Sequence, residues 1–191
     1  MNESAYVQMI RQFRNVLEGF TTSTLSCRDD RLGHIVCAEA IDALADGNYG
    51  VGCVLLDPRG EPVVRGHNEV FWPRFRSGGH AEAVVLDRFE TTHSKVCDLS
   101  GYMLFVSLEP CPMCLCRIII SGIGSVKFVA ADDGGGMVRN MDALPNHFRR
   151  LARGRKFGVA ECSPGLQALA REIFVANLDQ LQAKLRKRVA L

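Results

Sequence analysis

Three side chains in this 191-residue chain, His80, Cys111 and Cys114, have the types and spacing of a soft-metal site. Imidazole and thiolate together suit Zn2+, and three protein ligands leave a fourth tetrahedral position for a water or hydroxide, as in catalytic zinc sites. Cys111 and Cys114 form a Cys-x-x-Cys behind Pro110 at the predicted start of a helix. There, free backbone N–H groups and the positive end of the helix dipole favour thiolates. Glu82 follows His80 by two residues, close enough to the open position to handle a proton. Zinc lowers the pKa of a water it binds toward ~7, which makes hydroxide available at neutral pH. The same Cys-Pro-Met-Cys is also compatible with thiol–disulfide exchange.

Elements must bring these residues together from separate parts of the chain. Ile10, Phe13, Leu17 and Phe20 recur at helical spacing within residues 4–20, and residues 21–27 read as a linker. A second helix is expected to start at Asp29 or Asp30, both suitable caps, with Leu32, Ile35, Val36, Ala40 and Leu44 facing inward. The apolar runs 51–57 and 62–68, joined through Pro58, Arg59 and Gly60, read as a β-hairpin. Residues 80–90 form a short helix, 101–108 a strand, 111–122 a helix and 125–131 another strand. A loop at 132–136 and a poorly periodic stretch to about Arg155 precede a last strand at 156–160. Ser163 as cap and Pro164 in the first turn start one final helix, with Leu166, Leu169, Ile173 and Leu178 on one face. Strands alternating with helices predict a layered α/β domain.

Composition narrows the partners. The 23 basic and 21 acidic side chains leave a formal net charge of +2, which argues against binding bulk nucleic acid or anionic membrane by charge alone. The 47% apolar and 23% charged fractions suit a globular chain with a buried core. Glu3, Arg11 and Arg14 interrupt the first segment, so no secretory signal is expected there, nor is any run of ~18 apolar residues present. A cytoplasmic setting keeps thiols reduced, so the eight cysteines imply no disulfide framework. Cys27, Cys37, Cys53, Cys97, Cys116 and Cys162 read as reduced packing residues.

His80-Ala81-Glu82 followed by Pro110-Cys111-Pro112-Met113-Cys114 resembles the signature of the cytidine deaminase-like superfamily of zinc hydrolases. The resemblance runs from about Leu32 to Leu178 and includes the segment ending at Asn68. It implies a three-layer α/β/α fold, with a central mixed five-stranded sheet flanked by helices, over residues 29–191, and an N-terminal helical extension over 1–28. It also implies one zinc ion per subunit on His80, Cys111 and Cys114, with Glu82 moving protons between water, ring nitrogen and departing amine. Asn68 and the backbone N–H of Ala81 match positions that contact substrate in relatives.

The forms His-Ala-Glu and Pro-Cys-Pro-Met-Cys resemble the branch containing guanine deaminase, cytosine deaminase and tRNA adenosine deaminase. Bacterial tRNA-editing members typically carry Thr-Gly-Ala after the strand that here ends at Ala131, where this chain has Asp-Asp-Gly-Gly-Gly. The resemblance therefore implies deamination of a nucleobase, nucleoside or related small amino-heterocycle, with tRNA adenosine as the alternative and a non-catalytic zinc-binding relative as a third. Homodimers are common among relatives. Trp72, with Phe71 and Phe75, is a candidate to stack on a base or a loop anchor. Arg74 and Arg76 are candidates for an anionic group or solvated loop charges. Asp132 or Asp133 is a candidate to reach substrate from a lid, with a plain turn as the other reading.

Overall fold

The apolar runs Gly52–Leu56 and Pro62–His67 fold against each other as antiparallel strands β1 and β2 in a computed structural model that describes residues 3–20 and 26–189. All five positions of β1 are buried, whereas only one position of β2, Gly66, is buried. That contrast follows from the sheet order β2-β1-β3-β4-β5, which puts β2 at an edge and β1 between neighbours. Strand β3, Met103–Leu108, pairs antiparallel with β1. Strands β4, Ser125–Ala130, and β5, Lys156–Val159, continue the sheet in parallel. The sheet is mixed and five-stranded, as expected.

Seven α-helices are described: α1 Glu3–Glu18, α2 Asp30–Ala45, α3 Ala81–Thr92, α4 Pro112–Ser121, α5 Asn146–Leu151, α6 Pro164–Val175 and α7 Leu178–Val189. Helices α2 and α6 pack together against one face of the sheet, and α3 and α4 cover the other. Helix α4 is the crossover that a parallel β3–β4 pair requires. Phe89, Phe105 and Phe128 are among the largest fully buried side chains of the apolar layers between sheet and helices. No helix among the described residues is long and apolar enough to cross a membrane.

Helix α1 lies against α2, where the Tyr6 hydroxyl donates to the Leu44 carbonyl at 2.6 Å. Of the expected linker 21–27, residues 21–25 fall outside the described residues.

Asp29 and Asp30 do not cap α2 with their side chains. Asp30 accepts the backbone N–H groups of Ser26, Cys27 and Ser163, while Asp29 accepts the Glu161 N–H and the Lys127 ammonium. Both carboxylates tie the start of α2 to the chain that leaves β5.

Two expectations change in the C-terminal half. The stretch after residue 136 is ordered as a 3-10 helix at Val138–Ala143 followed by α5, and together they cover a second apolar cluster containing Leu115, Ile119 and Phe128. The single final helix is two. The chain breaks at Ala176 and Asn177, and Leu178 begins α7 rather than extending the inner face of α6. At the break the buried Asn177 side chain donates to the Asn48 carbonyl at 2.8 Å.

Candidate active site

Helices α3 and α4 both begin at one end of a cavity, with His80 and Cys111 as their N-cap residues. N-cap side chains usually accept a hydrogen bond from the first turn. Here neither side chain does so, and the two instead face one another, with Cys111 Sγ 3.6 Å from His80 Nδ1. Cys114 lies three residues into α4 and is buried. The donor atoms of His80, Cys111 and Cys114 all lie within 4.8 Å of one another. Tetrahedral zinc, at ~2.3 Å from sulfur and ~2.1 Å from nitrogen, holds its ligand atoms roughly 3.5–4 Å apart, so this donor set fits the ion in type and in spacing.

Two helix N-termini converging on three soft donors make the environment electropositive before any ion binds. The Cys111 thiol is pulled down to about 4, chiefly by a hydrogen bond from Cys114 and then by His80, against the opposing effect of burial. The same hydrogen bond, together with burial, pushes the Cys114 thiol up. His80 is raised by its contact with Cys111. Glu82, in the first turn of α3, is 4% exposed. Burial first and the Cys111 charge second hold its carboxyl above the usual carboxylate range. A raised carboxyl of this kind is suited to accept and then return a proton.

The cavity has a volume of about 410 Å3, within the range that encloses small molecules. Of the candidate residues, His80, Glu82, Cys111, Asn68 and Asp132 line it. Asn68 follows β2 and accepts the Val70 N–H at 3.0 Å through Oδ1. Among the described residues its Nδ2 makes no hydrogen bond.

The side chains of three other candidates are outside the lining. Ala81 is buried at the first position of α3, between the lining residues His80 and Glu82, and its side chain is not part of the lining. Trp72 is 58% exposed and outside the lining, because the backbone around it is fixed from below: Asn48 Oδ1 accepts the N–H groups of Phe71 and Trp72 at 2.7 and 2.9 Å. Phe71 packs edge-on against Tyr49 and tilts against Phe75, so these rings anchor the loop. Asp133 points away to Arg139 and Arg171, at 3.0 and 3.4 Å. In the same loop, Arg76 pairs with Glu69 at 2.9 Å.

The residues that sequence reasoning missed include Glu109, whose side chain is completely covered. Its carboxylate accepts Arg139 Nε at 2.7 Å, the Arg139 N–H at 2.9 Å and the Asp132 N–H at 3.2 Å. The 132–139 segment is therefore a bound turn. Gly136 permits it, since a Cβ there would overlap the Glu109 carboxylate. Leu178, Gln182 and Leu185 of α7 also line the cavity, as does Phe174 of α6.

All eight cysteines are free. Cys37, Cys53 and Cys162 are buried and Cys116 is partly covered, but Cys27 and Cys97 are exposed and serve no packing role. Cys116 packs on the second apolar cluster, away from the metal-type group.

Residues 27–130 match the family model described as cytidine and deoxycytidylate deaminase zinc-binding region. The tRNA-specific adenosine deaminase of Bacillus subtilis (strain 168) is 38% identical over 98 residues, covering 51% of this chain and 59% of that protein. The tRNA-specific adenosine deaminase of Aquifex aeolicus (strain VF5) is 31% identical over 115 residues, covering 58% of this chain and 72% of that protein. The structure of guanine deaminase from Nitrosomonas europaea superposes with a TM-score of 0.57 at 25% identity, covering 76% of this chain and 83% of that one. The matched region contains His80, Glu82, Cys111 and Cys114, and the chain therefore belongs to the cytidine and deoxycytidylate deaminase zinc-binding family.

Proposed function

We propose that this protein is a hydrolytic deaminase that replaces an exocyclic amine of a nucleobase, nucleoside or related small amino-heterocycle with a carbonyl oxygen. Water is consumed and ammonia released. The observation that carries the reading is the buried Glu82 carboxyl beside the His80, Cys111 and Cys114 donor set, inside a cavity of about 410 Å3.

His80, Cys111 and Cys114 would hold one zinc ion. Bound zinc supplies a Lewis acid that makes hydroxide available near neutral pH. Glu82 accepts the proton that water gives up and passes it to the ring nitrogen next to the reacting carbon. It then takes the proton of the hydroxyl now on that carbon and delivers it to the amine, which leaves as ammonia while the oxygen becomes the carbonyl. Its raised pKa suits this double role, because one group must be base and then acid in a single turnover. The free Nδ2 of Asn68 offers a donor that orients the heterocycle. Glu109 acts at one remove, by holding Asp132 and the turn that closes one side of the cavity. A cytoplasmic homodimer belongs to the same reading and rests on the family alone.

The alternative substrate is adenosine in tRNA. Its support is the pair of relatives named as tRNA-specific adenosine deaminases. Ammonia release from adenine, guanine, cytosine, their ribonucleosides and a tRNA anticodon stem-loop separates the two. The proposal expects turnover of a small heterocycle, and turnover of the tRNA alone would overturn it.

A further inference from the structure

We infer that Gln182 on α7 reads the substrate, and that α7 makes the site one for a small heterocycle held whole rather than a base presented on a polynucleotide. The inference rests on the deaminase reading above and adds the determinant of its specificity.

Leu178, Gln182 and Leu185 stand at helical spacing i, i+4 and i+7, so they share one face of α7, and that face lines the cavity. Gln182 is the polar residue of the three, and its carboxamide makes no hydrogen bond among the described residues. Asn68 contributes a second carboxamide with a free Nδ2 to the same cavity. A carboxamide presents a donor and an acceptor side by side, the pattern that matches an amidine or amide edge of a heterocycle. Most other polar groups of the lining are engaged. Glu109 is saturated by Arg139 and Asp132, and Asp132 Oδ1 accepts the Gly134 and Gly135 N–H groups.

The helix is also tied across the loop that precedes His80. Lys184 Nζ lies 5.8 Å from the Phe71 ring centroid, and the Arg188 guanidinium lies 3.7 Å from that of Phe75. Two cations of the basic C-terminal cluster are therefore committed to intramolecular contacts with aromatic rings. A polynucleotide strand that paired its phosphates with these two cations would have to draw them off the rings, whereas a free base needs neither moved.

The test compares zinc-loaded wild-type protein with Gln182→Ala and Gln182→Leu. Ammonia release is read for adenine, guanine, cytosine, their ribonucleosides and a tRNA anticodon stem-loop, and the shift in Tm that each small molecule produces is read in parallel. Gln182 is exposed on its helix, so neither variant threatens folding. The expected result is an increase in KM of about tenfold for the preferred heterocycle, as for loss of one good hydrogen bond. The ranking of heterocycles by kcat/KM should change with it, and the Tm shift should shrink. An equal loss for every substrate, or no change, overturns the role of Gln182, and turnover of the stem-loop alone overturns the small-substrate assignment. A Tm shift that depends on Gln182 without any ammonia release would support Gln182 while defeating the deaminase reading itself.

Discussion

The side-chain amide of Asn177 donates to the main-chain carbonyl of Asn48 at 2.8 Å and so joins the break between α6 and α7 to the turn ahead of β1. Asn48, itself completely buried, uses its Oδ1 to hold the Phe71 and Trp72 N–H groups. One residue thus fixes the aromatic loop on one side of the cavity and the root of α7 on the other. The two walls meet again where Lys184 and Arg188 lie over the loop's phenylalanines.

Asn177→Ala removes a donor from a buried carbonyl, a change that costs about 1–3 kcal/mol. The variant should unfold at a lower temperature and, with α7 less firmly rooted, show a raised KM. Thermal denaturation and steady-state kinetics on one preparation check both. Unchanged Tm would mean that the break is held by the neighbouring apolar contacts alone.

A methyl group at Gly136 would overlap the Glu109 carboxylate. Gly136→Ala should therefore displace the 132–139 turn and reduce kcat/KM while leaving zinc content at the wild-type level, since the atoms its Cβ would meet first belong to Glu109 and Asp132. Metal analysis beside kinetics reads this directly. Loss of zinc in the variant would show that the turn supports the ligands as well.

Metal-free protein should carry one unusually reactive thiol. Cys111 is held down to about 4 and is partly exposed, whereas burial foremost pushes the Cys37 and Cys162 thiols well up. After chelation at pH 6, iodoacetamide should label Cys111 ahead of the others, because only the thiolate reacts. Peptide mass spectrometry identifies the site, and added zinc should protect it. Preferential labelling of exposed Cys27 or Cys97 would contradict the electrostatic account.

The fold and the centre of the site were legible for a common reason. His80, Glu82, Cys111 and Cys114 sit at the first turns of two helices, where local signals such as Pro112 and the apolar run after Cys114 mark the boundary. What sequence did not display depends on contacts between distant residues. The spacing of Leu166, Leu169, Ile173 and Leu178 continues smoothly through the break, whereas the bond that marks the end of α6 joins Asn177 to a residue 129 positions away. Asp132 and Asp133 are equivalent as sequence. Arg139 and Arg171 draw Asp133 outward, and Glu109 holds the backbone of Asp132 inward. By residue type Trp72 suits either stacking on a base or anchoring a loop, and the contact with Asn48 that sets the direction of its backbone is invisible in the sequence.

A histidine beside the site gives a pH dependence. His67 Nδ1 lies 3.1 Å from Glu39 and Nε2 3.3 Å from Asp46, so both ring nitrogens face carboxylates. The hydrogen bond to Glu39, foremost, raises its pKa. A folded pKa above the unfolded value of ~6.5 means that the stabilisation is complete below ~6.5 and is lost as pH rises through the folded value. The difference in Tm between wild type and His67→Gln should be largest at pH 6 and shrink at alkaline pH. A difference that does not vary with pH would refute the ion-pair explanation.

The central claim is that Glu82 moves protons beside a zinc ion held by His80, Cys111 and Cys114. It is tested most directly by measuring zinc content and ammonia release together for Glu82→Ala. Zinc equal to wild type with turnover reduced by roughly 100- to 10,000-fold, the usual worth of a positioned general acid–base, is the expected result. Near-normal turnover in that variant would contradict the account.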